Sequence, residues 1–421
     1  MLFYLFLLCC AVFVVHVHTF YKGNIFLLIP TFYLLFYRHL ILCIFAMGKK
    51  ASGISMKKQI TTEEIARRAG VSRGSVDRVL HNRGKVSPES RAAIEAVLDE
   101  VGYQFNLHTS AVSLKKTYRI VVAIPQAVTG EYWGLIKEGI ESAADEYYDF
   151  NLDIRFCLID QFVAESCQAA YAELLALKPD GVVIGPVFVD YTIHLCQNLD
   201  AMGIPYVFVD TFLQDTNPLT SFVTDQTSCG KVIGRLLTAA IPAGNSLAVM
   251  DIDRKGIKSK DNFSRRYEGL LSFARQRLTA GGQVYHGVFS SDTRLGEKQV
   301  MDFLRQHPDV KGIGVLNSRG YLVADILSKN NISDVLVVSM DLTTDNIRCL
   351  RNNSISALVC QRPQQQSFCA IEAIIRYLLF KNNTTPQINY LPIDIVLPET
   401  LEYSLKTDIE WHQINTRFST K

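Results

Sequence analysis

The sequence predicts an all-α head of three short helices, the first two forming a helix-turn-helix, followed by a two-lobed α/β body with doubly wound parallel sheets. Three observations predict this. Charge is split along the chain: residues 57–85 hold eight basic and three acidic residues, whereas residues 117–421 hold 28 basic and 34 acidic. Near residue 118 the pattern changes from short amphipathic helical stretches to apolar runs alternating with helical ones. Eight such runs follow, more than one sheet usually takes, so two similar lobes are the natural solution.

Residues 1–56 hold four basic residues and no acid. Within them MLFYLFLLCCAVFVVHVHTFY and IFLLIPTFYLLFYRHLILCIFAM are apolar and long enough to span a bilayer as helices. No small-residue cleavage site follows either run, so a signal peptide is not expected. Two spans would leave Lys49, Lys50, Lys57 and Lys58 inside and give a membrane-tethered solute sensor. We prefer an over-extended start, because His16, His18 and Arg38 interrupt the runs and Met47 and Met56 follow them. Three of the ten cysteines (Cys9, Cys10, Cys43) lie in this leader, and the other seven form no C-x-x-C pair. They read as reduced, buried thiols of a cytoplasmic protein, with neither metal nor cofactor expected.

The head spans 57–104. Thr61 with Glu64 forms a capping box, and Ile65, Ala66 and Ala69 make an apolar stripe. Gly70 permits a sharp turn. Ser72 caps a second helix whose inward residues are Val76, Val79 and Leu80. Ser87-Pro88-Glu89 opens a third, with Ile94, Val97, Leu98 and Val101 on its buried side and Gly102 ending it. A tight two-helix turn presents its second helix to a DNA major groove. Its first turns expose Arg73, Gly74, Asp77 and Arg78. Arginine pairs with guanine O6 and N7, worth about 1–3 kcal/mol of discrimination. Thr61, Ser72 and Ser75 are placed to bind phosphates, which position without specifying. A helical hairpin used for protein contact is the alternative.

Residues 105–117 read as a linker and 118–405 as the body, with a tail at 406–421. Candidate strands are RIVVAI (119–124), LDIRFCLI (152–159), GVVIG (181–185), PYVFVD (205–210), SLAVMDI (246–252), GIGVL (312–316), VLVVSMD (335–341) and ISALVC (355–360). Continuous β-branched runs suit strands buried on both faces. Ligands of such sheets bind outside the strand C-termini, which selects Pro125, Gln126, Gly185, Pro186, Asp210, Asp251, Asn317, Asp341 and Gln361. No G-x-S-x-G, phosphate-loop or H-E-x-x-H motif occurs, and the cleft acids need no reaction to explain them, so an enzyme is not expected.

The head sequence TTEEIARRAGVSRGSVDRVLHNRGKVSPESRAAIEAVLDEVGY resembles the DNA-binding head of the lactose-repressor family of bacterial transcription regulators. The matching residues are Ile65-Ala66, Ala69 to Ser72, Ser75-Val76, Arg78 to Leu80, Asn82, Val86 and Val101 to Tyr103. Asp77 stands where the family usually has Ser; an acid there repels phosphate, so it is expected to pair with Arg73 or Arg78 or to accept from a cytosine N4. The resemblance implies a hinge helix from Asn106 that inserts Val112 or Leu114 into the minor groove. The body resembles the family's sugar-sensing core, which shares its fold with periplasmic sugar-binding proteins. That implies effector contacts from Arg266 in an Arg-x-x-Gly, Asn317, Asp341, Gln361 and Asp210. Asp225, and Tyr132 or Trp133 as a ring cover, are looser candidates, and Ser318 replaces the family's Asp. The expected partners are double-stranded operator DNA, a sugar-like effector and a second copy of the chain, because one short helix reads few bases and half-sites lie about one helical turn apart.

Overall fold

A computed structural model describes residues 61–80, 86–100, 116–253, 260–278, 281–380 and 387–406. The two apolar runs, Asn82, Asn106, Val112, Leu114 and most of the tail lie outside the described residues. Among the described residues no helix is long and apolar enough to cross a membrane.

The head helices are α1 (Thr62–Ala69), α2 (Arg73–Leu80) and α3 (Pro88–Glu100). Each starts at the hydroxyl residue expected. Thr61 Oγ1 accepts from Glu64 N–H at 3.3 Å, Ser72 Oγ from Ser75 N–H at 3.1 Å, and Ser87 Oγ from Ser90 N–H at 3.2 Å. Gly70 adopts φ +65° and lets the Val71 N–H reach back to the Ala66 carbonyl at 3.0 Å, which closes α1 and turns the chain into α2. Val76, Ile94 and Val97 are buried.

The body holds two six-stranded sheets of matching order. The first contains β1 (Tyr118–Pro125), β2 (Leu152–Ile159), β3 (Gly181–Ile184), β4 (Tyr206–Asp210), β5 (Thr220–Val223) and β11 (Ile388–Tyr390), in the order β11-β5-β4-β3-β1-β2. The second contains β6 (Ser246–Asp253), β7 (Val284–Ser290), β8 (Val310–Gly314), β9 (Leu336–Met340), β10 (Ala357–Cys360) and β12 (Asp394–Val396), in the order β12-β10-β9-β8-β6-β7. All pairings are parallel except β10 with β12.

Period-2 alternation along buried strands builds a core on both faces of each sheet. Ile120, Val122 and Ile124 of β1 join a cluster with Ile136 and Ile140 of α4 (Tyr132–Glu146) and Ile371 and Ile374 of α12 (Pro363–Phe380). Val121 and Ala123 face the other way, toward α5 (Ala164–Ala176) and α6 (Val189–Met202). In the second lobe Leu247 and Val249 meet α7 (Gln226–Ala240) and α8 (Lys260–Arg277). Ala248 and Met250 meet α9 (Thr293–Gln306), α10 (Gly320–Lys329) and α11 (Thr344–Arg351).

The chain passes from lobe to lobe after β5, after β10 and between β11 and β12. All eight expected strands form. Four more were not anticipated: β5, β11 and β12 are only three or four residues long, and β7 carries His286 and Gly287 within VYHGVFS. The seven cysteines among the described residues are unbridged, and six of them are buried.

Candidate functional site

Two aspartates end corresponding strands of the two sheets, Asp210 on β4 and Asp341 directly after β9. Both take left-handed backbone, φ +70° and +63°. That turn is uncommon for a non-glycine residue and costs energy unless the surroundings hold it. At Asp341 the holder is Asn346, fully buried, whose amide donates to the carbonyls of Met340 (2.7 Å), Asp341 (3.2 Å) and Ser318 (3.1 Å). Sequence reasoning missed Asn346 because it lies on a helix, away from any strand end.

The Asp341 carboxylate is fully buried and accepts from Ser318 Oγ at 2.7 Å and from Gln361 Nε2 at 3.1–3.2 Å. Burial pushes its carboxyl up to about 6, against the opposing pull of Ser318 and Arg266. The departure noted at Ser318 now has a physical reason: a hydroxyl at 2.7 Å donates to this carboxylate, where a second acid would repel it. Cys229 lies buried near Arg266 and Asp341, and burial raises its thiol to about 12.

Arg266 is buried on α8, and each of its three side-chain nitrogens donates to a protein acceptor. Nε donates to Gln226 Oε1 at 2.6 Å, Nη1 to the Leu316 carbonyl at 2.8 Å and Nη2 to Gln361 Oε1 at 2.9 Å. The Arg-x-x-Gly spacing is explained by packing. A Cβ at Gly269 would sit 2.1 Å from the Thr227 carbonyl oxygen, and one at Gly230 would sit 1.9 Å from that of Arg266. Glycines therefore bring α7 and α8 together and set Arg266 beside Gln226.

Asp210 completes the cluster from the first lobe. Its Oδ1 accepts from Tyr132 Oη at 2.7 Å, and its Oδ2 from Asn262 Nδ2 of the second lobe at 3.0 Å. Burial first, then the charges of Asp210 and Asp341, hold the Tyr132 hydroxyl well above its usual range, so it stays a donor. Two more contacts join the lobes: Thr344 N–H donates to the Gly130 carbonyl at 2.9 Å, and the Arg265 guanidinium lies 5.6 Å from the Phe212 ring centroid. The described body is thus closed over a polar cleft.

Of the residues expected here, the structure gathers Arg266, Asp341, Gln361 and Asp210. Asn317 lies three residues after β8, its Oδ1 accepting from Arg319 N–H at 2.9 Å. Asp225 is not part of the cluster. Its carboxylate caps α7, accepting from Ser228 N–H at 3.1 Å and from Ser228 Oγ at 2.6 Å. Trp133 packs its ring on Gly185, where a Cβ would come within 2.7 Å, so of the two adjacent aromatics it is Tyr132 that reaches the cleft. Gln126 is exposed just after β1. Asp251 lies within β6, which runs one residue further than expected. Gln226 and Asn262 were missed: each sits in the first turn of a helix, with no strand-end signal.

On the head, Thr61, Ser72, Arg73, Gly74, Asp77 and Arg78 are exposed and Ser75 is half-buried. Arg78 Nε donates to the Gly74 carbonyl at 2.9 Å, one turn back along its own helix.

Comparison with known proteins agrees with both parts. Residues 120–382 match the periplasmic binding protein domain, and residues 61–106 match the bacterial regulatory proteins of the lacI family. The ribose operon repressor of Halalkalibacterium halodurans is 24% identical over 288 residues, 67% of this chain and 80% of that protein. The ribose import binding protein RbsB of Bacillus subtilis is 21% identical over 260 residues, 62% of this chain and 81% of that protein. A crystal structure described as a LacI transcriptional regulator from Bacteroides fragilis superposes with a TM-score of 0.64 at 27% identity, covering 68% of this chain and 99% of that one. The fold and cleft define a periplasmic-binding-type sensor body joined to a helix-turn-helix head. The chain belongs to the lactose-repressor family of DNA-binding transcription regulators.

Proposed function

We propose that the protein is a cytoplasmic, homodimeric repressor whose grip on operator DNA is set by a sugar or sugar derivative held in the cleft. The observation that carries this reading is the polar cluster at the strand C-termini, where Asp210 of one lobe bonds Asn262 of the other beside the buried network of Arg266, Asp341 and Gln361. Carboxylates accept from sugar hydroxyls, a guanidinium donates to them, and Tyr132 supplies an aromatic edge. The ligand replaces bonds these groups now make with one another, so its binding changes how the lobes are held. D-Ribose is the first effector to try, since two relatives carry ribose in their names. Both acids serve as hydrogen-bond acceptors, which favours binding over catalysis.

In this reading 57–104 is the DNA-binding domain, 105–117 the hinge segment and 118–405 the effector and dimerisation domain. Arg73, Gly74, Asp77 and Arg78 face bases, with Arg73 the principal reader, while Thr61, Ser72 and Ser75 bind phosphates. Asn82, Asn106 and Val112 extend the contact. The test is selection of an operator from random duplexes, followed by gel shifts at 50 and 200 mM salt with and without D-ribose and a panel of other sugars. Specific binding that weakens about a thousandfold or more across that range is expected if six or more phosphates are neutralised. No operator selected, or one whose affinity no sugar alters, would overturn the proposal.

A further inference from the structure

The two site aspartates are joined through a pair of glutamines at the lobe crossovers. Gln361, buried at the end of β10, divides its bonds between the lobes. Its side chain faces the second lobe: Nε2 donates to Asp341, and Oε1 accepts from Arg266 Nη2 and from Gln226 Nε2 at 3.0 Å. Its carbonyl faces the first lobe, accepting from Gln366 Nε2 at 2.9 Å and Thr224 Oγ1 at 3.2 Å. Thr224 lies in the other crossover, just after β5, and its Oγ1 also accepts from Gln366 Nε2 at 3.3 Å. Gln366 is fully buried on α12, and its Oε1 accepts the backbone N–H of Asp210 at 2.8 Å. The orientation of this amide is forced, because the Asp210 N–H can only donate and the Gln361 carbonyl can only accept.

We infer that Gln366 is a positioning residue, tying two of the three crossovers to the backbone of Asp210 so that lobe closure and the placement of that aspartate change together. Two features support this beyond the bonds themselves. Asp210 is held in left-handed backbone, so its N–H needs a fixed acceptor. Arg362, next to Gln361, is also left-handed at φ +55°, which places a turn between the two anchored ends. A buried amide serving three partners leaves unsatisfied groups if it is lost. The consequence for effector sensing rests on the function proposed above; the bonds and their test do not.

The test is hydrogen exchange of individual amides in the full, effector-free chain, comparing wild type with Gln366→Met. Three amides are followed: Asp210, bonded to Gln366; Thr344, bonded across the lobes to Gly130; and Phe208, in the middle of β4. The expected result is exchange at least tenfold faster at Asp210 and Thr344, with Phe208 unchanged. An unchanged Asp210 rate in a folded variant sinks the tie, and a faster Asp210 with an unchanged Thr344 sinks the coupling. Equal acceleration of Phe208 reduces Gln366 to a general structural role and also overturns the inference. Should Gln366→Met not fold, Gln366→Asn keeps the amide but is one methylene too short to span its partners, and it gives the same three readouts. If D-ribose and every other sugar fail to bind, the function proposed above falls while the exchange pattern still decides this point.

Discussion

Asp341 concentrates the chemistry of the cleft in one side chain. Its carboxyl ordinarily titrates near 3.8 and is raised by burial to about 6. Between those values the folded chain holds a proton that the unfolded chain has released. Stability therefore falls as pH rises through about 4 to 6, and this contribution is level above that window. Asp341→Asn, neutral throughout, lacks that fall. Urea midpoints measured from pH 4 to 7 should show the variant gaining on wild type across the window and holding its gain above it; parallel profiles would contradict the raised carboxyl. Asp341→Ala should remove the effector response. Because the head helices are capped by their own Thr61, Ser72 and Ser87, gel shifts without effector should still show operator affinity within about twofold of wild type. Loss of both together would assign Asp341 to folding.

At the scale of elements, α7 and α8 must touch backbone to backbone for Arg266 to meet Gln226. Gly230→Ala places a Cβ 1.9 Å from the Arg266 carbonyl oxygen, which is backbone and cannot swing aside. The helices must part, at a cost of about 1–3 kcal/mol. A lower melting temperature together with weakened effector binding is the expected outcome, read by thermal unfolding and by titration; full affinity would show that Arg266 needs no such spacing. In the head the element that matters is α2. Arg73 is exposed on its first turn, as the base-reading role proposed for it requires. Arg73→Ala should relax sequence preference at one position by about 1–3 kcal/mol, as measured by competition among operator variants. Unchanged preference would mean that α2 lies in the groove in another orientation.

For the molecule as a whole, the matching strand orders of the two sheets make the cleft a meeting of equivalent strand ends, β4 with β9 and β5 with β10. Each lobe offers a left-handed aspartate at the same point of its sheet. The lobes are joined by three crossovers, and bonds between Thr224, Gln361 and Gln366 lock two of them together. A ligand that competes for Asp341 and Arg266 competes with the bonds that hold Gln361. Under the proposed function, effector binding and lobe movement would share one set of hydrogen bonds.

Local chemistry in the sequence determined the helix starts of the head, the turn at Gly70, eight of the twelve strands and the two-lobed parallel design. Each of these is set by a short-range rule: a hydroxyl cap, a residue tolerant of positive φ, or a continuous apolar run. The strand-end rule and the family resemblance also reached Arg266, Asp341, Gln361 and Asp210. Tertiary structure alone decided which polar groups meet. Gln226, Asn262, Asn346 and Gln366 carry no pattern of their own, because each is placed by a bond to a residue remote in the chain: Gln361, Asp210, Ser318 and Asp210 in turn. The reverse holds for Asp225 and Trp133, where a cap and a glycine contact claim side chains that the sequence left open. Hydrogen-bond satisfaction in a buried cleft is a property of three-dimensional neighbours, and no local spacing encodes it.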